Sequence, residues 1–255
     1  MGRNHGLNAL KWVTLVAALV LGCAVGWSLY PQASHAEAKA DRTIAELEAT
    51  VAKLQQRIDR LHDEDRIETL VSVYGYYLDK QQWDQLTDLF ADDGSMEISL
   101  RGVYRGKKSI RRALELFGPQ NIEPAHLHNH IQLQPVIQVS EDGTHGFSRS
   151  RALSELGTFE RVGIFGDGVY ENEYVKQDGV WKIKKDHVYT TFFAPYEPGW
   201  QSAPARAPKR SDKIPPDAPP TELYETFPEV YVPPFHFKHP VTGADIVLPP
   251  PGVHP

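Results

Sequence analysis

Apolar positions change their spacing several times along the chain. Residues 12–34 carry no charge, and residues 13–21 are almost wholly aliphatic, with Arg3 and Lys11 ahead of them. A basic flank, an apolar centre and then Ser34-His35-Ala36 follow the order of a secretory signal cleaved after Ala36. Residues 12–30 also come close to the ~20 needed to span a bilayer, so membrane attachment through a retained anchor is a second reading. Val20-Leu21-Gly22-Cys23 forms a loose lipobox, a third. All three readings export the body, to the periplasm or to the outer side of a membrane. Ile44, Leu47, Val51, Leu54, Ile58 and Leu61 then recur at alternating steps of three and four. That is the a/d seam of a helix, with Ile/Val at a and Leu at d favouring two parallel strands. Either it is a self-association stalk, giving a homo-oligomer (dimer or trimer), or it is an amphipathic helix lying on its own domain.

Beyond residue 63 the apolar set shifts to Ile67, Leu70, Val71, Tyr74 and Leu78, which predicts a helix over 64–79. Trp83, Leu86, Leu89 and Phe90 predict a short second helix ended by Asp92-Asp93-Gly94, then a strand near 95–100. A third helix begins at Ser109 and stops at Gly118-Pro119. From there the period is two, with strands over 126–139, 146–156, 163–175 and 180–193, and Asp-Gly turns at 142–143 and 178–179. Helices followed by hairpins predict an α+β fold with the helices on one face of a curved antiparallel sheet. The predicted organisation is a signal or anchor (1–36), an amphipathic or coiled-coil helix (37–62), a folded domain (63–197) and a Pro-rich extension (198–255). Sixteen of the twenty prolines lie in residues 195–255, together with Tyr196, Trp200, Tyr224, Phe227, Tyr231, Phe235 and Phe237. Aromatics at that density predict an extended arm that packs on its own domain or on a neighbour, with the roof of a pocket as one reading and a flexible Pro-rich linker, as over 201–220, as the other.

The 255 residues are 41% hydrophobic with a net charge of −6, which excludes wholesale disorder and gives no basic surface for nucleic acid. A single cysteine, Cys23, excludes an internal disulfide framework and a Cys-rich zinc site. No nucleotide fingerprint, phosphate loop or serine-nucleophile elbow occurs, which argues against nucleotide cofactors and against hydrolase triads of that type. No cofactor is assigned.

Several motifs carry a resemblance. Leu78-Asp79, Trp83-Asp84-x-Leu86-x-x-Leu89-Phe90-Ala91-Asp92-Asp93-Gly94, Gly102-x-Tyr104-x-Gly106, Gly168-Val169-Tyr170-Glu171-Asn172-Glu173-Tyr174-Val175 and Asp178-Gly179-Val180-Trp181-Lys182-Ile183 stand in one order over about 63–197. They resemble the SnoaL-like branch of the nuclear transport factor 2-like superfamily, near its scytalone dehydratase-like members. The resemblance implies a cone: helices close one side of a curved sheet and leave a deep pocket. It also implies that His130 matches a histidine pointing into that pocket and that Asp79 matches a pocket carboxylate. The second histidine of dehydratase-like members has no counterpart, that region reading Gly166-Asp167-Gly168.

The residues themselves leave alternatives open. His126, His128 and His130 share one face if they lie on a strand. A neutral imidazole at His130 is a natural base, while His126 and His128 fit a polar, partly exposed strand start. A metal on His-x-His needs a third ligand that no other spacing supplies, so none is assigned. Asp79 is either a pocket carboxylate or a helix-ending cap. Arg149 and Arg151 either bind oxyanion charge in the pocket or pair structurally with Glu171 and Glu173. Regular alternation after Trp181 and Ile183 turns Lys185 and His187 inward, whereas a bulge substitutes Asp186. Tyr74 and Tyr77 are either core or hydroxyl donors to a substrate. The catalytic assignment is therefore His130 as base, Asp79 as its partner and Arg151 as oxyanion stabiliser. Tyr74, Tyr77, Arg149, Glu171, Asp186 and His187 are the substrate-binding candidates. The predicted ligand is a small aromatic or polyketide-like molecule. Two functions remain: cofactor-independent lyase, dehydratase or isomerase chemistry, or a non-catalytic ligand-binding or assembly module.

Overall fold

The computed structural model describes residues 6–202 and 207–248, with side chains from residue 37 onward and at His35. The signal or anchor expectation rests on residues 1–36 and lies outside the described side chains. The chain divides into two units, Met1–Asp59 and Arg60–Pro255. Helix α1 (Gly6–Asp79) includes the heptad segment, whose six apolar residues are 46–63% exposed apart from Val51 at 64%.

In the second unit, the end of α1 packs through Ile67, Val71, Tyr74 and Leu78 into one core with α2 (Trp83–Asp88), α3 (Gly106–Leu114) and the sheet. α1 stops because Gln81 takes a left-handed conformation (φ 54°) and turns its N–H back to the Leu78 carbonyl, while the N–H of Gln82 bonds Tyr77. Polar ties fix α1 and α2 in place. Asp63 accepts from the Trp181 indole and from the Lys176 ammonium, each at 2.8 Å. The Trp83 indole donates to the Gly118 carbonyl at 3.0 Å, holding α2 to the end of the third helical segment.

The sheet has six strands in the order β2-β1-β6-β5-β4-β3. They are β1 (Phe90–Ile98), β2 (Val103–Arg105), β3 (His126–Val139), β4 (His145–Thr158), β5 (Val162–Gln177) and β6 (Val180–Pro195). The mixed α+β architecture expected from the period change is present. β1 runs parallel to β6 and every other pair is antiparallel. One boundary differs from the sequence expectation. β1 begins at Phe90 rather than near Ser95, because Asp92-Asp93-Gly94 forms an irregularity between Phe90 and Ser95 within the β1–β6 pairing instead of closing a helix. A second irregularity falls between Glu173/Lys185 and Tyr174/Ile183, so Lys184 is the extra residue on β6. It reverses the alternation beyond it: Asp186 joins the inner face with Trp181 and Ile183, and His187 goes to the outer one.

Among its described residues the Pro-rich arm lies mostly along the outer face and one end of the sheet, with only Pro208 on the cavity wall, so its described aromatics do not roof the pocket. The N–H of Val103 bonds Ala218, and Asp217 accepts from the Arg105 N–H and the Ser109 hydroxyl. Farther along, Thr221 donates twice to the buried Glu97, and the Tyr224 hydroxyl accepts the Thr190 N–H. Tyr224 and Tyr231 stack on each other at 4.6 Å and lie against Tyr189.

Candidate active site

Between the curved sheet and the helices lies a cavity of about 410 Å³, bounded mainly by apolar groups such as Leu78, Ile98, Phe117, Leu156, Val188 and Phe193. One polar side of it comes from β3 and β5. His126, His128 and His130 all reach it, as their alternate positions on β3 require. His128 departs from the expected half-exposed strand start. It is buried, with its ring between Trp83 and Phe117, and its Nδ1–H donates to the Leu78 carbonyl at 2.8 Å. Burial lowers its pKa, and its Nε2 meets no hydrogen-bond partner.

Both ring nitrogens of His130 are engaged, Nδ1 with the Ser154 hydroxyl at 3.0 Å and Nε2 with the Tyr170 hydroxyl at 2.9 Å. Burial pulls its pKa down to about 3, so the ring is neutral at physiological pH. A neutral ring that accepts the Tyr170 proton at Nε2 carries its own proton on Nδ1 and donates it to Ser154. Tyr170 meets Tyr74 edge to face at 5.8 Å, with the two hydroxyls near enough to influence each other's ionisation. The Tyr74 hydroxyl donates to Asp186 Oδ2 at 3.1 Å, and the Asn172 amide donates to Asp186 Oδ1 at 3.1 Å. Asn172 is oriented in turn by the N–H of His187. The result is a continuous chain of titratable groups, Asp186–Tyr74–Tyr170–His130, running from the core to the cavity wall. Asp186 is fully enclosed. Desolvation raises its pKa to about 7, and the two donated hydrogen bonds limit the rise. Burial, followed by the nearby Asp186 charge, keeps both tyrosines protonated well beyond their ordinary range.

The other sequence candidates sit elsewhere. Asp79 accepts the main-chain N–H of His130 at 2.5 Å, which joins the end of α1 to β3 without touching the imidazole ring. Tyr77 packs against the core and is not on the cavity wall. Arg149, Arg151, Glu171 and His187 do not line the cavity; strand alternation assigns them to the outer face. Arg149 pairs with Glu171 there, lies 3.9 Å from the centre of the Phe235 ring and donates to the Pro233 carbonyl, so the arm closes over it. Arg151 is exposed opposite Leu133 and Val169. His187 stacks on Tyr189 and faces Glu97 at 3.6 Å, and burial lowers its pKa to about 3.

Tyr170, Ser154 and Asn172 were not singled out from sequence, although Tyr170 and Asn172 share strand parity with Tyr174, the face opposite to Glu171 and Glu173. Arg101 was missed too. It belongs to the turn between β1 and β2, where periodicity says nothing, and it reaches the cavity with a guanidinium that burial makes less basic.

A curved sheet with helices over its inner face and a mostly apolar, histidine-bearing cavity between them is the arrangement of an α+β cone. The SnoaL-like domain family matches residues 59–187, and the chain belongs to that family. It is 30% identical over 139 residues to hexachlorocyclohexane dehydrochlorinase 1 of Sphingobium indicum, a match covering 54% of this chain and 88% of that protein. The gamma-hexachlorocyclohexane dehydrochlorinase of the same species is 29% identical, with 54% and 86% covered. Among solved structures, the LinA-type3 hexachlorocyclohexane dehydrochlorinase of Novosphingobium barchaimii superposes with a TM-score of 0.48 at 24% identity, covering 55% of this chain and 94% of that one.

Proposed function

We propose that the domain is a cofactor-independent lyase that removes a proton and an adjacent leaving group from a small, largely apolar molecule. The observation that carries this reading is the neutral His130 ring at the wall of an apolar cavity, bonded to Tyr170, which packs on Tyr74 and so leads to the buried Asp186 carboxylate. An imidazole with a pKa near 3 is a weak base by itself. Coupled through Tyr170 and Tyr74 to Asp186, whose pKa is near 7, it gains a thermodynamically adequate proton acceptor. In the proposed step the hydrogen-bonded His130–Tyr170 pair takes up the substrate C–H proton at the cavity wall. A shift along the two hydroxyls then leaves the proton on Asp186. The C–H electron pair becomes a carbon–carbon double bond, and the leaving group departs with its own pair. The similarity to dehydrochlorinases supports elimination over the other chemistries of the fold. The body would work outside the cytoplasm, as the uncharged run over 12–34 suggests, and the half-exposed heptad residues favour a homo-oligomer.

The test is turnover by the purified full chain on γ-hexachlorocyclohexane and on aromatic β-hydroxyketones, following chloride release and loss of water. His130→Ala is expected to lower kcat/KM by ~10²–10⁴ while leaving the circular dichroism unchanged. Equal rates for the two proteins would refute the proposal and favour a non-catalytic binding module.

A further inference from the structure

Among the described arginines, Arg101 alone has a buried side-chain nitrogen without a hydrogen-bond partner. Arg111 pairs with Asp84, Arg112 with Asp217 and Arg149 with Glu171, but among the described residues no carboxylate lies within ion-pair distance of Arg101. Its side chain lines the cavity, and its Nε is buried without an acceptor. A desolvated donor left unmatched is costly, more so on a cation, and such a cost persists where a ligand supplies the acceptor. The support beneath it is rigid. The N–H of Arg101 closes the turn onto the Ile98 carbonyl, and Leu100 bridges to Lys209 of the arm. The next residue, Gly102, has φ 106°, where a Cβ would lie 2.5 Å from the Ala218 carbonyl. Beside it, the hydroxyls of Ser99 and Thr190 bond each other on the same wall.

The sheet order sets the geometry. Arg101 enters from the β1–β2 end, and His130 enters from β3 at the opposite edge, with β6, β5 and β4 between them. The wall between these two polar ends is largely apolar, including Ile98, Val188 and Phe193. A guanidinium presents a planar fork of donors that matches a carboxylate with two parallel hydrogen bonds. We infer that Arg101 is the anchor for a carboxylate on the substrate, which is therefore an apolar carboxylic acid held with its acid end at the β1–β2 turn and its body extending toward His130. This rests on the lyase reading for the word substrate, but the recognition itself does not require turnover. It also separates this chain from the hexachlorocyclohexane dehydrochlorinases, named for an uncharged chlorinated ring.

The experiment measures binding calorimetrically with the full chain. The probes are phenylacetate, 3-phenylpropanoate and 4-phenylbutanoate, each compared with its neutral amide. The wild-type protein should bind at least one acid about 10-fold or more tightly than the matching amide, as a charge-assisted pair would give. Arg101→Met should bind acid and amide alike, and Arg101→Lys should keep part of the preference. His130→Ala should retain the full preference, so loss of turnover there leaves this result standing. A failed lyase assay is read separately, from product. The inference is overturned if the wild type binds none of the acids, if it shows no preference for them, or if Arg101→Met keeps that preference. Should Arg101→Met not fold, by circular dichroism, Arg101→Gln gives the same comparison.

Discussion

Asp186 and His130 have opposite dependences on pH, and the difference is measurable. For Asp186 the folded pKa, about 7, exceeds its ordinary value of 3.8. Between those values the folded state holds a proton that the unfolded state has lost, so this group's contribution to stability falls as pH rises from about 4 to 7. Above 7 the buried charge costs on the order of 4 kcal/mol. Asp186→Asn keeps the shape without the charge. It should be more stable than the wild type at pH 8 by a few kcal/mol and by much less at pH 5, as read from urea unfolding at both values. For His130 the shift runs downward, from 6.5 to about 3. There the unfolded state binds the extra proton, and stability is lost as pH falls through that window. Turnover follows from the same assignments. kcat/KM should rise with pH through about 7 as Asp186 opens to accept a proton, with no inflection near 6.5, because His130 is already neutral. Asp186→Asn should abolish the rise and lower the plateau; an unchanged profile would remove Asp186 from the proton path. At this scale the sequence was partly legible. The alternation put the three histidines on one face, the family resemblance turned that face inward at His130, and the choice between Asp186 and His187 reduced to whether β6 carries a bulge. The choice of Arg149, Arg151 and Glu171 as pocket groups failed because they lie on the opposite parity from Ser150, Ala152, Tyr170 and Asn172, which face inward. No periodic signal reaches Arg101, since its placement comes from a turn held by residues more than a hundred positions later.

At the scale of elements, helices and strands followed from spacing because burial of one face enforces it, and β3 matches the expected 126–139. The arm was legible only in composition. Aromatics at that density had to pack somewhere, but extended chain without a period does not say where. Its contacts now make a specific prediction. Gly102→Ala would force a side chain against the Ala218 carbonyl and the Pro216 ring at a backbone conformation that L-residues disfavour. It should destabilise the domain by about 1–3 kcal/mol. It should also free residues 209–218 from β2, so that trypsin cuts at Lys209, Arg210 and Lys213 faster than in the wild type under native conditions. Equal cutting rates would mean that this segment is held by other contacts. A core control belongs beside it. Trp83 is fully buried, with its indole bonded to Gly118, and Trp83→Ala should cost about 3–5 kcal/mol without selectively exposing those sites.

For the whole molecule, the open matter is the seam formed by Ile44, Leu47, Val51, Leu54, Ile58 and Leu61. Each of these side chains is about half exposed, and their sequence neighbours along residues 37–62 are exposed as well. Burying them in a parallel pair of helices would gain roughly 1 kcal/mol per side chain, on the order of 10 kcal/mol for two copies. Association costs a comparable ~4–15 kcal/mol, and the seam spans fewer than three heptads. The balance predicts a weak, concentration-dependent assembly rather than an obligate one. Sedimentation velocity of the full chain, solubilised in a mild detergent, should show a mass that rises above the monomer with concentration. Leu47→Lys with Leu54→Lys places four cations at the d positions of a dimer and should hold the protein monomeric while leaving helix content and ligand affinity unaltered. If the double variant assembles like the wild type, the seam is not the contact. The exposed apolar positions of the edge strand β3, Leu127, Ile131, Leu133 and Val136, then become the surface through which copies meet. A weak seam of this kind would suit a chain held at a membrane by the anchor proposed for residues 12–30. Tethering in two dimensions raises the local concentration, so a modest affinity suffices to hold copies together at a membrane and releases them once the tether is cut.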